Sequence, residues 1–459
     1  MANQLHIIIL AAGIGSRMHS SIPKVLHPLA GKPLLGWVID AASLLNPAAI
    51  HVIYGYGKDK LRAFFKESKV NWIEQPEQLG TADAVARALP FINPEAQILV
   101  LSGDVPLIQA ATLDKLITNI EALNLLFANV SNPYGFGRIV RDSDNAILRI
   151  VEEKDASPRE KAIQEVYTGI CAGSAAIFKR LIPLIKPHNS QKEYYLTDLV
   201  DLAMQHNTPI QGFNVLDEME TCGVNTQNQL ATLERYWQRH QALLLQEKGV
   251  YIADPARIDI RGTLTVEQDV FIDVDVVFEG NNTLKKGSKV GPFCILKDVI
   301  LGEQSEVFSH SVLEKTVIKE NCKIGPFARL RKGTELQNNC KIGNFVETKE
   351  AKFAEGSKAN HLSYIGDASI GKEVNIGAGT ITCNYDGVEK HQTSIEDYAF
   401  IGSGTQLVAP ITVGHNATIG AGTTLRQDAP ANALTLSSKQ QITHANWQRK
   451  KSKKSTREL

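Results

Sequence analysis

The sequence predicts an α/β protein built from two architectures: a Rossmann-like, mostly parallel sheet, then a left-handed parallel β-helix of hexapeptide repeats. Three observations lead there. The chain has 459 residues, 43% of them hydrophobic and 21% charged, which is ordinary globular composition and too much for one core. Up to about residue 225, short β-rich runs such as LHIIIL, AIHVIYG and QILVLSGD alternate with helical stretches, the mark of βαβ units. Farther on, the period becomes six, with aliphatics at Ile318, Ile324, Leu330, Leu336 and Ile342, and again at Ile395, Ile401, Leu407, Val413, Ile419 and Leu425.

The expected division is residues 1–225 as the sheet domain, 226–250 as a linker helix, 251–447 as the β-helix and 448–459 as a basic, solvated, disordered tail. Leu230, Leu233 and Trp237 fall at helical spacing, and Gly249 offers a stop. In the repeats, small or turn-forming residues follow the aliphatics, as in IGSGTQ and IGAGTT, so each unit supplies a short strand and a corner. Three units close one triangular coil whose aliphatics stack inside. Alternating sandwich strands have period two and no fixed six. Between Ile376 and Ile395 the register breaks at GAGTITCNYDGVEKHQTS, which predicts a projecting loop.

Composition narrows the function. The 49 basic residues balance the 49 acidic ones, leaving no overall field for nucleic acid or an anionic membrane. Six scattered cysteines form no C-x-x-C pair, so neither a zinc knuckle nor a disulfide framework is expected. The opening MANQLHIIILAAG has no basic leader and too short an apolar run for a membrane span, which makes the cytoplasm the expected compartment.

Directly after the first strand, LAAGIGSRM carries Gly13 and Gly15, where the backbone can approach an anion and present N–H groups. Met18 replaces the third glycine of the dinucleotide fingerprint, and no Walker Lys-Ser follows. Arg17 and Lys24 are close enough to neutralise a triphosphate, although a lone cation is more often a solvated surface charge. The strand ILVLSGDVPL ends in Ser102, Gly103 and Asp104, where ligands of open α/β sheets bind. Magnesium, which takes one or two protein oxygens plus phosphates, suits Asp104; a turn aspartate is an equal alternative from this motif alone. Gln75 has an amide to match a uracil edge, and Gly80 and Thr81 can pass backbone groups under a base.

LAAGIGSRM, PKVL, QLGTADA and SGDVPL in this order resemble the sugar-1-phosphate nucleotidyltransferases. With the six-residue repeats, nearly the whole chain resembles the bifunctional bacterial N-acetylglucosamine-1-phosphate uridyltransferase/glucosamine-1-phosphate acetyltransferase family. That resemblance implies UTP and acetyl-CoA as co-substrates, Mg²⁺ as cofactor, and a product feeding peptidoglycan and lipopolysaccharide synthesis. It implies nucleotide contacts from Leu10, Ala11, Ala12, Gly13, Lys24, Gln75, Gly80, Thr81, Ser102, Gly103 and Asp104, sugar contacts from Gly137 and Glu152, and magnesium held by Asp104 and Asn225. Two positions depart: Tyr167 stands where the family usually has a sugar-contacting Asn, and Cys222 where it generally has Glu. The sugar phosphate would attack the α-phosphorus of UTP in line and expel pyrophosphate, with Arg17, Lys24 and magnesium neutralising charge.

Acetylating an amine from a thioester needs a base, and His361 in SKANHLSYIGD is the candidate. Taken alone it is more often a structural or surface histidine, but Arg331 and Lys349 add positive charge for a sugar phosphate, and Tyr364 and Asn375 add hydrogen-bonding groups. By resemblance, Ala378, Asn384, Tyr385, Ser403 and Ala421 line acetyl-CoA, and the assembly is a homotrimer with this site between subunits. A third departure puts Ser438, then Lys439, where the family offers Arg to the CoA phosphates. Two competing readings remain at this level: a monofunctional sugar-1-phosphate nucleotidyltransferase with a structural or regulatory β-helix, and an inactive scaffold like the exchange-factor subunits of translation initiation. The first predicts no base or phosphate clamp in the repeats; the second predicts loss of Arg17, Lys24 or Asp104.

Overall fold

The computed structural model describes residues 4–55, 57–438 and 441–448. Most of the basic tail, and Lys439, lie outside the described residues. The chain forms two compact units that divide after Leu245, with Pro255–Thr263 returning to the first.

The first unit is built on a nine-stranded sheet. Its strands are β1 (Leu5–Ala11), β2 (Ala49–Tyr54), β3 (Asn71–Glu74), β4 (Gln97–Ser102), β5 (Leu123–Asn129), β6 (Gly137–Arg141), β7 (Ile147–Val151), β8 (Glu165–Ser174) and β9 (Ile210–Val215). The order is β9-β5-β8-β4-β1-β2-β3, with the hairpin β6–β7 attached to β8. Strand β1 runs parallel to both β2 and β4, while β8 is antiparallel to its neighbours. The run Ile7-Ile8-Ile9 is continuous because both faces are covered: Ile8, Ile53 and Val100 join one core, and Ile7, Ile9, Val52 and Leu101 the other. Register sets Leu10 opposite Ser102, and the Gly103 N–H donates to the Leu10 carbonyl at 2.9 Å, so LAAG and SGD emerge side by side. The helix Gln227–Glu247 places Leu230, Leu233 and Trp237 against Met18, Leu29 and Leu34 of this unit. Gly249 follows it at φ 86°, the left-handed geometry that ends helices.

The second unit is a left-handed parallel β-helix. Val307 pairs with Ile324 and Ile324 with Ile342, steps of 17 and 18 residues, which is three hexapeptides per coil. All eleven aliphatics of the period-six series are buried. Three columns of residues with positive φ make the three corners: Asp298, Lys315, Glu350 and Asp367; Phe293, His310, Phe327, Phe345 and Leu362; and Gln304, Asn321, Asn339, Glu373 and Tyr398. The first column bends seven-residue strands such as Val312–Ile318 and Tyr364–Ile370 at their midpoints, so one sheet covers two sides of the prism. In the second column the rings of Phe293, His310, Phe327 and Phe345 stack at centroid spacings of 4.9, 4.8 and 5.4 Å. One coil step is longer: Ile376 pairs with Ile401, 25 residues on, because the loop between Cys383 and Thr393 leaves the coil. The expected interruption is thus confined to its second half, and GAGTITC stays in the coil.

Candidate active sites

In the first unit, β1 feeds a loop through Gly13 and Gly15 into a tight turn at Ser16–Met18 and a second at Lys24–Leu26. Gly15 has φ 68°, and a Cβ there would stand 2.6 Å from the Lys24 Cβ, so only glycine lets the Lys24 stem close over the loop. The Lys24 ammonium donates to the Asp104 carboxylate and, at 3.1 Å, to the Asn225 side-chain carbonyl. Asn225 is carried there by the Val224 N–H, which donates to the Asp104 carbonyl at 2.9 Å. Two oxygens from residues 121 positions apart therefore converge on one cation.

Beside them opens a cleft of about 370 Å³ lined by Leu10, Ala12, Gly13, Lys24, Gln75, Gly80, Thr81, Ser102 and Asp104, together with Gln78, Ala84 and Glu193. Nothing lies within 4 Å of a Cβ built on Gly13, which leaves room there for a bulky anion. Gln75 is buried, and its amide nitrogen already donates to the Gly80 carbonyl at 3.0 Å and the Asp83 carboxylate at 2.8 Å. The expectation that both ends of this amide face a base is corrected accordingly: only the oxygen remains free, an acceptor for a base N–H. Gly80 sits at φ 119°, where a Cβ would come within 2.5 Å of the Tyr194 carbonyl. The Thr81 hydroxyl accepts the Leu196 N–H at 2.9 Å.

Other expected residues fall outside this lining. Ala11 is buried, Gly103 contributes backbone, and Arg17 is exposed, with no hydrogen bond or ion pair to the described residues. Gly137 and Glu152 form a separate group, where a Cβ on Gly137 would stand 3.6 Å from a Glu152 carboxylate oxygen. Glu152 accepts from the Thr197 hydroxyl at 3.2 Å. Burial pushes its carboxyl pKa up, Asp198 and Asp155 add to the rise, and the Thr197 bond and Arg138 oppose it.

In the second unit, His361 is exposed at the end of the strand Lys358–His361, its ring outside the solenoid. The His361 Nδ1 lies 3.0 Å from the Asn344 Oδ1, and the two residues pair in register across adjacent coils. An amide oxygen only accepts, so in the tautomer that makes this hydrogen bond Nδ1 carries the proton and Nε2 keeps its lone pair. Ala378, Ser403 and Ala421 continue this column, each two residues past the paired Ile376, Ile401 and Ile419. From there the corner residues are Gly379, Gly404 and Gly422 in place of phenylalanine and leucine, so the column borders a corner free of side chains.

On the next side, Arg331 pairs with Glu347 at 2.8 Å, and Glu347 stands in register with Tyr364. Lys349 is in register with Gly366, where a Cβ would meet the Tyr364 hydroxyl at 2.5 Å and the Asn384 amide at 2.9 Å. Gly366 thus opens a notch that receives both groups. Lys390, a loop residue outside the expected set, pulls the Lys349 pKa below the usual lysine value through its positive charge, Arg331 adds to this and Asp367 opposes it. Asn375 lies in the column Lys358, Asn375, Phe400 on the eleven-strand side. The Tyr385 hydroxyl donates to the Gly387 carbonyl within the loop at 2.6 Å.

Comparison with known proteins separates the readings left open by the residues. Residues 7–150 match the MobA-like NTP transferase domain, and residues 315–349 and 392–427 match the bacterial transferase hexapeptide family. The bifunctional protein GlmU of Marinobacter nauticus is 50% identical over 449 residues, covering 97% of this chain and 99% of that relative. GlmU of Legionella pneumophila is 53% identical over 452 residues, covering 97% and 98%, and that of Stenotrophomonas maltophilia 50% over 450, covering 98% and 99%. The chain belongs to the bifunctional GlmU family. As a GlmU it is a uridyltransferase and an acetyltransferase of UDP-N-acetylglucosamine biosynthesis, and the monofunctional and inactive alternatives fall.

The departures from the GlmU pattern have definite places. Tyr167 is buried in the apolar core with Phe127, Ile139 and Ile150, its hydroxyl beside the Cys171 thiol, and burial raises its pKa far above the ordinary value. Cys222 lies 3.9 Å from the Met219 sulfur, with its pKa raised by burial. Ser438 is exposed. Motif reading missed Asn344, which pairs with His361, Gln78, which lines the cleft of the first unit, and the loop residue Lys390. Asn344 was accessible from the 17-residue coil step applied backward from His361, whereas nothing in the sequence marks Lys390 among its neighbours.

Proposed function

We propose that the first-unit cleft binds UTP, with Gly13 and its neighbours under the phosphates and Gln75 accepting a hydrogen bond from the uracil. Lys24 neutralises the triphosphate, and Arg17 folds in from solvent when the anion arrives. Glu152 and Gly137 receive the sugar of N-acetylglucosamine-1-phosphate, whose phosphate oxygen attacks the α-phosphorus and expels pyrophosphate. Asp104 and Asn225 already place two oxygens on one cation, the Lys24 ammonium, and this donor pair fits Mg²⁺, which asks for few protein oxygens when phosphates fill the rest of its shell. No group of three or more His, Cys, Asp or Glu able to hold a metal occurs among the described residues. When bound, magnesium would supply charge neutralisation to the phosphates.

In the second unit, His361 acts as general base. Its Nε2 takes the proton from the amine of glucosamine-1-phosphate as the nitrogen attacks the acetyl carbonyl and the CoA thiolate leaves. Arg331, Lys349 and Lys390 hold the sugar phosphate, with Tyr364 and Asn375 at its hydroxyls. Acetyl-CoA lies along Ala378, Ser403 and Ala421 at the glycine corner, with Asn384 and Tyr385 at the loop. The acetylated sugar is then the substrate of the first site. We place the enzyme in the cytoplasm as a homotrimer; no helix among the described residues is long and apolar enough to cross a membrane.

The observation that carries this reading is that each unit holds its own charge assembly, Lys24 with Asp104 and Asn225 in one, His361 with Asn344 in the other. Purified protein given glucosamine-1-phosphate, acetyl-CoA, UTP and MgCl₂ tests it, with free thiol and pyrophosphate followed separately. His361→Ala should lose acetylation by about 10²- to 10⁴-fold and keep uridylylation, and Asp104→Ala the reverse. Loss of both activities in either folded variant would overturn it.

A further inference from the structure

Lys24 has two roles in the first site and only one charge with which to fill them. Its ammonium donates to the Asp104 carboxylate and, at 3.1 Å, to the Asn225 side-chain carbonyl, the two oxygens that fit magnesium. The same side chain lines the cleft with Gly13, where the triphosphate is to lie. The two oxygens are held firmly. Asp104 follows Gly103, whose N–H is tied to the Leu10 carbonyl at 2.9 Å, and the Asp104 carbonyl accepts the Val224 N–H at 2.9 Å. The Gln229 side-chain oxygen accepts the N–H groups of Asn225 and Thr226, at 2.8 and 3.1 Å, which pins Asn225 just ahead of the helix Gln227–Glu247. Lys24, by contrast, is confined at its root, where its Cβ leaves no room for a side chain on Gly15, and beyond that point its flexible stem lets the ammonium swing.

An ammonium and a dication cannot share one carboxylate and one amide oxygen, because they claim the same lone pairs and repel each other at close range. We infer that Lys24 is a resident counter-ion that closes the metal site until the triphosphate arrives: the phosphates draw its ammonium off Asp104 and Asn225, and only then do these two oxygens become available to Mg²⁺. This rests on the reading of Asp104 and Asn225 as the metal donors. Lys24 thereby sets the order of binding, nucleotide before metal, and the protein by itself takes up divalent cations poorly.

The test is direct binding of Mn²⁺, which takes the same oxygen ligands as Mg²⁺, to the full chain at low ionic strength, read from the electron paramagnetic resonance signal of free Mn²⁺. Without nucleotide, Lys24→Met, which keeps the stem and removes the charge, should bind Mn²⁺ at least about tenfold more tightly than the native chain. Lys24→Arg, whose guanidinium can still pair with Asp104, should bind as weakly as the native chain. Arg17→Met takes a charge from the same loop without uncovering the two oxygens and should stay within about twofold of the native affinity. The melting temperature is a second readout: MgCl₂ should raise it in Lys24→Met and leave the native chain unmoved. The metal donors are tested separately by calorimetric titration of UTP, whose binding to the native chain Mn²⁺ should tighten and whose gain from Mn²⁺ Asp104→Asn should abolish. If Asp104→Asn keeps that gain, the donor reading fails and the role of Lys24 with it. If Asp104→Asn loses the gain but Lys24→Met without nucleotide binds Mn²⁺ no more tightly than the native chain, or Arg17→Met gains as much as Lys24→Met, only the role of Lys24 falls.

Discussion

Asn344 stands one coil before His361, and its side-chain oxygen lies 3.0 Å from the imidazole Nδ1. The pairing favours the tautomer protonated at Nδ1, and a general base works only if its lone pair points at the substrate. Asn344→Ala frees the ring to rotate and to adopt the other tautomer. Acetyl-transfer kcat should fall by roughly tenfold, less than for loss of the base itself, while the KM for acetyl-CoA and the uridylylation rate hold. Steady-state rates of both reactions on one preparation check this; an unchanged acetylation rate would remove Asn344 from the mechanism.

Gly15→Ala attacks the first site through geometry alone. The added methyl would stand 2.6 Å from the Lys24 Cβ, at a φ of 68° that L side chains resist. The Lys24 ammonium should then be displaced from Asp104 and Asn225. The expected result is a fall in uridylylation kcat/KM of about 10- to 100-fold with acetylation intact, and a stability cost of about 1–3 kcal/mol in the first unit. Calorimetry beside both activity assays separates the catalytic effect from the structural one.

Much of this organisation was legible in the sequence because it is periodic or local. The period-six aliphatics reveal the solenoid, since every sixth side chain must enter the same narrow core, and all eleven do. Leu10, Ala12 and Gly13 after the first strand and Ser102 and Asp104 at the end of β4 follow from where ligands sit on an open sheet, and they line one cleft. What stayed hidden depends on register across the chain. Asn344 becomes a partner of His361 only through a 17-residue coil step, and Lys24 meets Asn225 across 201 residues. Arg17 was placed by charge and proximity in sequence, yet the tight turn Ser16–Met18 directs it to solvent. Tyr167, read as a change in the sugar contact, has its ring in the core, where apolar burial outweighs the pull of its hydroxyl toward water.

The first unit should lose stability in mild acid through a pair of buried histidines. The His6 Nδ1 and His51 Nε2 are 3.0 Å apart with their rings stacked, and the His51 Nδ1 has no partner. Burial, then the charge of His6, lowers the His51 pKa from 6.5 to about 4, and burial lowers that of His6. A histidine whose folded pKa is depressed stays neutral in the fold while the unfolded chain takes up a proton. Stability is therefore complete above about pH 6.5 and drains as pH falls towards about 4. Melting temperatures from pH 8 to pH 4 should drop faster in that window for the native chain than for His51→Asn, with parallel curves above pH 7. Equal slopes in both proteins would refute the assignment.

The solenoid offers the sharpest contrast between inward and outward positions on one coil. Leu330 is fully buried, and its strand is paired on one side with Leu313 and on the other with Thr348. Leu330→Ala should open a cavity that the stacked coils cannot collapse into, costing about 2–5 kcal/mol. A few residues on, Glu335 faces outward and pairs with Lys352 at 3.2 Å, an exposed contact worth about 0–1 kcal/mol, so Glu335→Ala should be nearly silent. Each coil touches only its neighbours, so the loss at Leu330 spreads to the coils carrying Asn344 and His361. Acetylation in Leu330→Ala should therefore fail at a lower temperature than in the native chain, while the temperature at which uridylylation fails stays put. Thermal inactivation followed by both assays decides it, and inactivation of the two activities in step would mean that the units do not melt separately.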